Sequence, residues 1–184
     1  DAARGADMLQ LSRPRPTHLA CPGGVVEKEL KMMSENIQIK KYERKITLVE
    51  RTFLQSPYAV VTMVARIKGN VSESMLTNAV SKVQQRHPNL RVRIKEDDDH
   101  DLWFTSEGAG EIPVEIVPRE SDNHWIQVFH EACLIPFEFE ERPAIRFILV
   151  QSPSISELII FCHHVICDGM SLAYLARDLM VHLG

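Results

Sequence analysis

From Tyr58 to Ile67 the chain is a run of β-branched and apolar residues that predicts a strand, closed by a turn at Gly69-Asn70. Ser72 then stands as a helix cap ahead of Met75, Leu76, Ala79, Val80 and Val83, whose spacing puts them on one helical face; His87-Pro88 ends that helix. Leu90 to Ile94 alternates Leu, Arg, Val, Arg, Ile, the pattern of a strand with one apolar and one basic face. The acidic run Glu96 to Asp99 reads as an exposed turn before a second strand at Leu102 to Thr105. Pro113 to Val117 alternates again, and Asp122 to Cys133 places Trp125, Val128, Phe129 and Ala132 at helical spacing, with Trp125 read as core. Ala144 to Val150 and Leu158 to Val165 are short apolar runs rich in Ile, Val and Phe, as buried central strands are. Ser171 to Leu183 lines up Leu172, Leu175, Leu179 and Leu183 on one face.

Upstream the signal weakens. Pro14, Pro16, Pro22, Gly23 and Gly24 mark residues 1 to about 24 as an extended arm or linker, Val25 to Met33 fits a short helix, and from Ile46 the pattern turns to β-branched and apolar residues consistent with strands. The domain reading is an arm with a short helix over 1–41 and one folded unit over 42–184. Strands and helices in this order fit an α/β two-layer sandwich, with a mixed, mostly antiparallel sheet and helices on one face.

Composition trims the function classes. With 45% hydrophobic and 25% charged residues among 184, the chain suits one sizeable core, and a net charge of −4 disfavours a polyanion-binding role. Nucleic acid is therefore not an expected partner. The longest apolar runs fall far below the roughly 20 residues of a membrane-spanning helix. Asp1, Arg4 and Asp7 precede a Pro-containing stretch without the apolar segment of a secretory signal, so the expected location is the cytoplasm, with no membrane partner. Cys21, Cys133, Cys162 and Cys167 make no Cys-x-x-Cys pair and read as reduced thiols; Asn70-Val71-Ser72 reads as a turn and cap rather than a glycosylation site.

One cluster is dense enough for chemistry: Cys162-His163-His164-Val165-Ile166-Cys167-Asp168-Gly169, where a buried strand gives way to a helix. A strand end fixes side-chain geometry, a glycine permits a tight turn, and a helix start offers free N–H groups. Adjacent histidines on a strand point to opposite faces, so one should be structural and the other should meet a cleft. Three readings compete: satisfied histidines with Asp168 as a helix cap, a metal site of His, Cys and Asp, or a single histidine acting as general base near neutral pH. Spacing does not choose among them.

His163-His164-Val165-Ile166-Cys167-Asp168-Gly169 resembles the His-His-x-x-x-Asp-Gly signature of the chloramphenicol-acetyltransferase-like superfamily, most of all the first half of condensation domains of nonribosomal peptide synthetases and of alcohol or polyketide-associated acyltransferases. Arg86-His87-Pro88-Asn89-Leu90-Arg91, Pro136-Phe137 and Pro143-Ala144-Ile145-Arg146 extend the resemblance over roughly residues 42 to 184. It implies that His164 is the catalytic base, that Asp168 is structural and pairs with an arginine (Arg146 being one candidate), that His163 is structural and that Gly169 keeps the turn open. The implied reaction is acyl transfer from a coenzyme A or carrier-protein phosphopantetheine thioester to an acceptor alcohol or amine. It needs no tightly bound cofactor, no metal and no covalent acyl-enzyme. Cys162 and Cys167 fall on variable positions or outside the signature and read as packing residues.

Members of the condensation type have a second, similar half carrying an Asp-Phe-Gly-type motif and the far wall of the substrate channel. No such half follows the signature in these 184 residues. The expectation is an N-terminal fragment, inactive alone, completed by a C-terminal half. The alternatives are a homotrimer sharing sites between subunits, as in chloramphenicol acetyltransferase, or a non-catalytic carrier-docking or structural half-domain.

Overall fold

The computed structural model describes residues 42–56 and 58–184, all within the compact unit Lys40–Gly184. The arm, its short helix and Cys21 lie outside the described residues. The elements are β1 (Glu43–Lys45), α1 (Leu48–Leu54), β2 (Val60–Lys68), α2 (Glu73–Arg86), a 3₁₀ turn (Pro88–Arg91), β3 (Arg93–Glu96), β4 (Leu102–Thr105), β5 (Val114–Pro118), α3 (His124–Cys133), β6 (Ile145–Gln151), β7 (Ile155–His163) and α4 (Gly169–Leu183).

A four-stranded sheet, ordered β2-β7-β6-β5, carries the fold, and a small three-stranded sheet, ordered β1-β4-β3, stands beside it. Only β5 and β6 pair parallel; the other pairs are antiparallel. The α/β class with a mixed, mostly antiparallel sheet is what the sequence implied. Strands β6 and β7 are central and buried along nearly their whole length, which is why they lack polar alternation.

On one face, Phe147, Leu149, Leu158, Ile160 and Cys162 pack with Leu76, Ala79, Val80 and Val83 of α2 and Leu172, Leu175 and Leu179 of α4. On the other, Ile148, Val150, Ile159 and Phe161 pack with Val128 and Ala132 of α3. The one-face expectation thus describes α2 and α4, while α3 covers the opposite face. Two-sided apolar strands need burial on both faces, and α3 supplies it.

Two local readings are corrected. The stretch from Ile46 is not strand: Thr47 caps α1, its hydroxyl accepting the Glu50 N–H while Glu50 reaches back to the Thr47 N–H. Leu90 to Ile94 is not one strand: Pro88 opens a 3₁₀ turn, closed by Leu90 N–H to the His87 carbonyl at 3.0 Å, and β3 starts only at Arg93. Leu90, Val92 and Ile94 are nonetheless all buried, so the apolar alternation was real and only its backbone was misread. Among the described residues no helix is long and apolar enough to cross a membrane.

Candidate active site

Strand β7 ends at His163, and His164 opens the turn that leads into α4, so the two histidines do not share a strand as the sequence pattern suggested. The chain is gripped on both sides at that point. His163 N–H donates to the Ala144 carbonyl at 2.9 Å and His164 N–H to the Ala59 carbonyl at 2.7 Å.

Their side chains live in different surroundings. His163 is 2% exposed, with Phe139 and Phe137 packed edge-on at 4.9 and 5.8 Å between centroids. Its Nδ1 accepts the Val165 N–H at 3.2 Å, so the ring proton sits on Nε2. Burial pushes its pKa below the ordinary histidine value, outweighing the Ser56 backbone, which raises it. His163 is therefore a neutral, locked ring. His164 is half-buried and lies parallel to Phe53 of α1 at 4.8 Å. Among the described residues its imidazole makes no hydrogen bond.

Asp168 is the N-cap of α4, its carboxylate accepting the Ser171 N–H at 2.7 Å. That bond, followed by smaller effects including the charge of His164, holds the carboxyl below its usual range. No arginine pairs with it among the described residues. Arg146 is engaged elsewhere: its guanidinium donates to the carbonyls of Ala132 and Ile135, each at 2.7 Å, and of Pro136 at 3.3 Å, and lies over the rings of Phe137 and Phe161. It thus serves the C-terminal end of α3, where a cation complements the helix dipole. Gly169 has a clear surround, with nothing within 4 Å of an added Cβ. Cys162 and Cys167 are buried free thiols in the core, and burial pushes the Cys162 thiol up. No group of three or more metal-ligating side chains forms among the described residues.

Contacts that the sequence pattern did not foreshadow brace the turn. Asn89 donates to the Ile166 carbonyl at 3.2 Å, tying the Arg86-to-Arg91 segment to the signature. The neighbouring His87 bonds at 3.0 Å to Asp178 of α4, a buried carboxylate also met by Arg177 at 2.9 Å and Arg86 at 3.3 Å. The spacing His87-x-Asn89 was visible; its long-range partners were not. Behind His163, on the α3 face, lies a cavity of about 390 Å³.

Likeness to known proteins places this chain in a family. The condensation-domain model matches residues 43–182, so the chain belongs to the condensation-domain family. It is 23% identical over 137 residues to cyclosporin synthetase of Tolypocladium inflatum, covering 73% of this chain and 1% of that protein. A linear gramicidin synthase of Brevibacillus parabrevis is 24% identical over 152 residues, 79% of this chain and 3% of that one. Among solved structures, the starter condensation domain of rhizomide synthetase superposes with TM-score 0.65 at 17% identity, covering 77% of this chain and 37% of that one. Tallysomycin biosynthesis protein TlmII gives 0.64 at 19%, covering 78% and 39%. The chain therefore spans well under half of these two solved chains and a small fraction of the synthetases.

Proposed function

We propose that residues 42–184 are the N-terminal subdomain of an acyltransferase of the condensation type, preceded by an arm over 1–41, in which His164 is the general base. The donor is an acyl thioester on coenzyme A or on a carrier protein's phosphopantetheine arm, and the acceptor is an alcohol or amine. The observation that carries this reading is the contrast between the two histidines. His163 has its Nδ1 occupied and its ring buried, whereas the half-exposed His164 ring is stacked, among the described residues, on one side only. A base must be oriented yet open to the proton it takes.

In this scheme His164 removes the acceptor's proton as oxygen or nitrogen attacks the thioester carbonyl. It returns that proton to the leaving thiolate, and its ring N–H steadies the tetrahedral oxyanion between the two events. No acyl-enzyme intervenes. His163, Asp168 and Gly169 shape the turn. The site is completed by a C-terminal half, which the 37–39% coverage of the condensation-domain structures favours over a homotrimer or a docking half-domain. Acyl transfer is set in the cytoplasm.

His164→Ala in the complete protein is expected to lower acyl transfer by about 10²- to 10⁴-fold with an unchanged unfolding midpoint. Unchanged turnover would overturn the assignment.

A further inference from the structure

We infer that Cys162 and Cys167 form a dithiol site that a peroxide oxidises to a disulfide, closing a covalent loop around the turn that carries His164. Cys162, the penultimate residue of β7, points to the α2 and α4 face of the sheet, and His163 after it points to the other. The turn through His164, Val165 and Ile166 brings Cys167 back to the first face, just ahead of the Asp168 cap. Both side chains lie in one core cluster, at 0% and 8% exposure, and there the two thiols are hydrogen-bonded neighbours. The Cys167 S–H also reaches the Asp168 carbonyl at 3.2 Å. Other small apolar side chains would pack in these places as well, whereas two thiols in contact can also join.

The two sulfurs are not equivalent. Cys167 lines a cavity of about 190 Å³ with His87, Asn89 and Ser171, which gives a peroxide room to reach it, while Cys162 has no exposed surface. The hydrogen bond from Cys162 draws the Cys167 thiol below its ordinary pKa against the effect of burial, and burial pushes Cys162 the other way. Cys167 is therefore the attacking sulfur. Its thiolate takes one peroxide oxygen as the O–O bond breaks, the thiol proton leaves with the other oxygen as water, and Cys167 becomes a sulfenic acid. The Cys162 sulfur then displaces the hydroxyl, which departs with the Cys162 proton as a second water. The new bond draws the sulfurs closer than thiol contact allows, and the turn between them bears the change. Ile166 N–H to the His163 carbonyl at 3.1 Å and Val165 N–H to His163 Nδ1 at 3.2 Å both lie within that loop. His164 sits among them, so oxidation displaces its ring and slows acyl transfer. That consequence rests on the acyl-transfer reading; the thiol chemistry does not.

The 184-residue chain carrying Cys21→Ser and Cys133→Ser is treated with hydrogen peroxide, denatured, alkylated with N-ethylmaleimide and weighed by mass spectrometry. The expected product is lighter by two hydrogens, carries no maleimide, yields a Cys162–Cys167 linked peptide and reverts with dithiothreitol. Cys162→Ala should stop at a Cys167 sulfenic acid that dimedone traps, with Cys162→Ser as the second variant should the first lower the unfolding midpoint. Two alkylatable thiols after peroxide, or sulfinic acid without the linked peptide, overturns the dithiol site. In the complete protein, peroxide should lower acyl transfer by about ten-fold or more, since a small misplacement of a reacting group carries a cost of that order. Dithiothreitol should restore the rate, and Cys162→Ala should keep it through peroxide treatment. Disulfide formation with undiminished turnover, or an equal loss in Cys162→Ala, overturns the control of His164. A complete protein without turnover before oxidation, whose disulfide still forms, instead sinks the acyl-transfer reading and leaves the dithiol site standing.

Discussion

Glu157 sits in the middle of β7 at 1% exposure, flanked by serine and leucine, and no apolar periodicity explains it. It is tolerated because Arg66 of β2 and Arg119 after β5 reach its two oxygens at 3.0 and 2.9 Å. Glu157→Ala takes one of two carboxylate partners from Arg119, which keeps Asp122 at 2.9 Å, and is expected to lower the urea midpoint. Asp168 is a different kind of carboxylate. Its bond to the Ser171 N–H is a capping bond that any short side-chain oxygen can make, so Asp168→Ala should lower the melting temperature while Asp168→Asn leaves it nearly unchanged. Equal losses in thermal denaturation would instead mean that its charge matters, as in the arginine pairing the family resemblance implies.

At the scale of elements, α1 shows how a seven-residue helix comes to hold the His164 ring. Its apolar residues are at most half-buried, so the capping box Thr47 to Glu50, with Arg44 on the same carboxylate at 2.7 Å, fixes its start. Arg44 is the largest influence holding Glu50 at a pKa of about 2. A depressed carboxylate stabilises the fold above its ordinary pKa and loses that contribution as pH falls toward its folded value. Glu50→Gln should therefore destabilise at pH 7, with the gap to the parent closing as the pH is lowered toward about 2 in denaturant titrations; a pH-independent gap would mean the charge is not involved. That capping signal is legible in Thr47-x-x-Glu50, amid β-branched residues whose pattern favours strand. The central strands, α2, α3 and α4 were legible because their apolar spacing answers directly to burial on one or two faces. Which face α3 covers was not, since periodicity fixes which side of a helix is buried and not the sheet face it meets. The same limit hid the stack of Phe53 on His164, two rings 111 positions apart that local patterns cannot connect.

The unit over 42–184 is an asymmetric sandwich, with one face of the main sheet closed by α2 and α4 and the other covered by α3 up to the cavity behind His163. Among the described residues the His164 ring at the end of β7 has one aromatic wall, supplied by α1. Acyl transfer asks for more than a base: donor and acceptor must be held in register, and water kept from the thioester, before proton transfer gains its full effect. A half-buried histidine with one wall meets the first requirement in part and the second poorly. The 184-residue chain is accordingly expected to give no turnover with a small acyl thioester and an amine or alcohol, while a parent protein spanning both halves does so through His164. Light scattering on the same sample separates the outcomes: turnover by a monomer contradicts the need for a second half, whereas turnover by a trimer would place the missing wall on a neighbouring subunit.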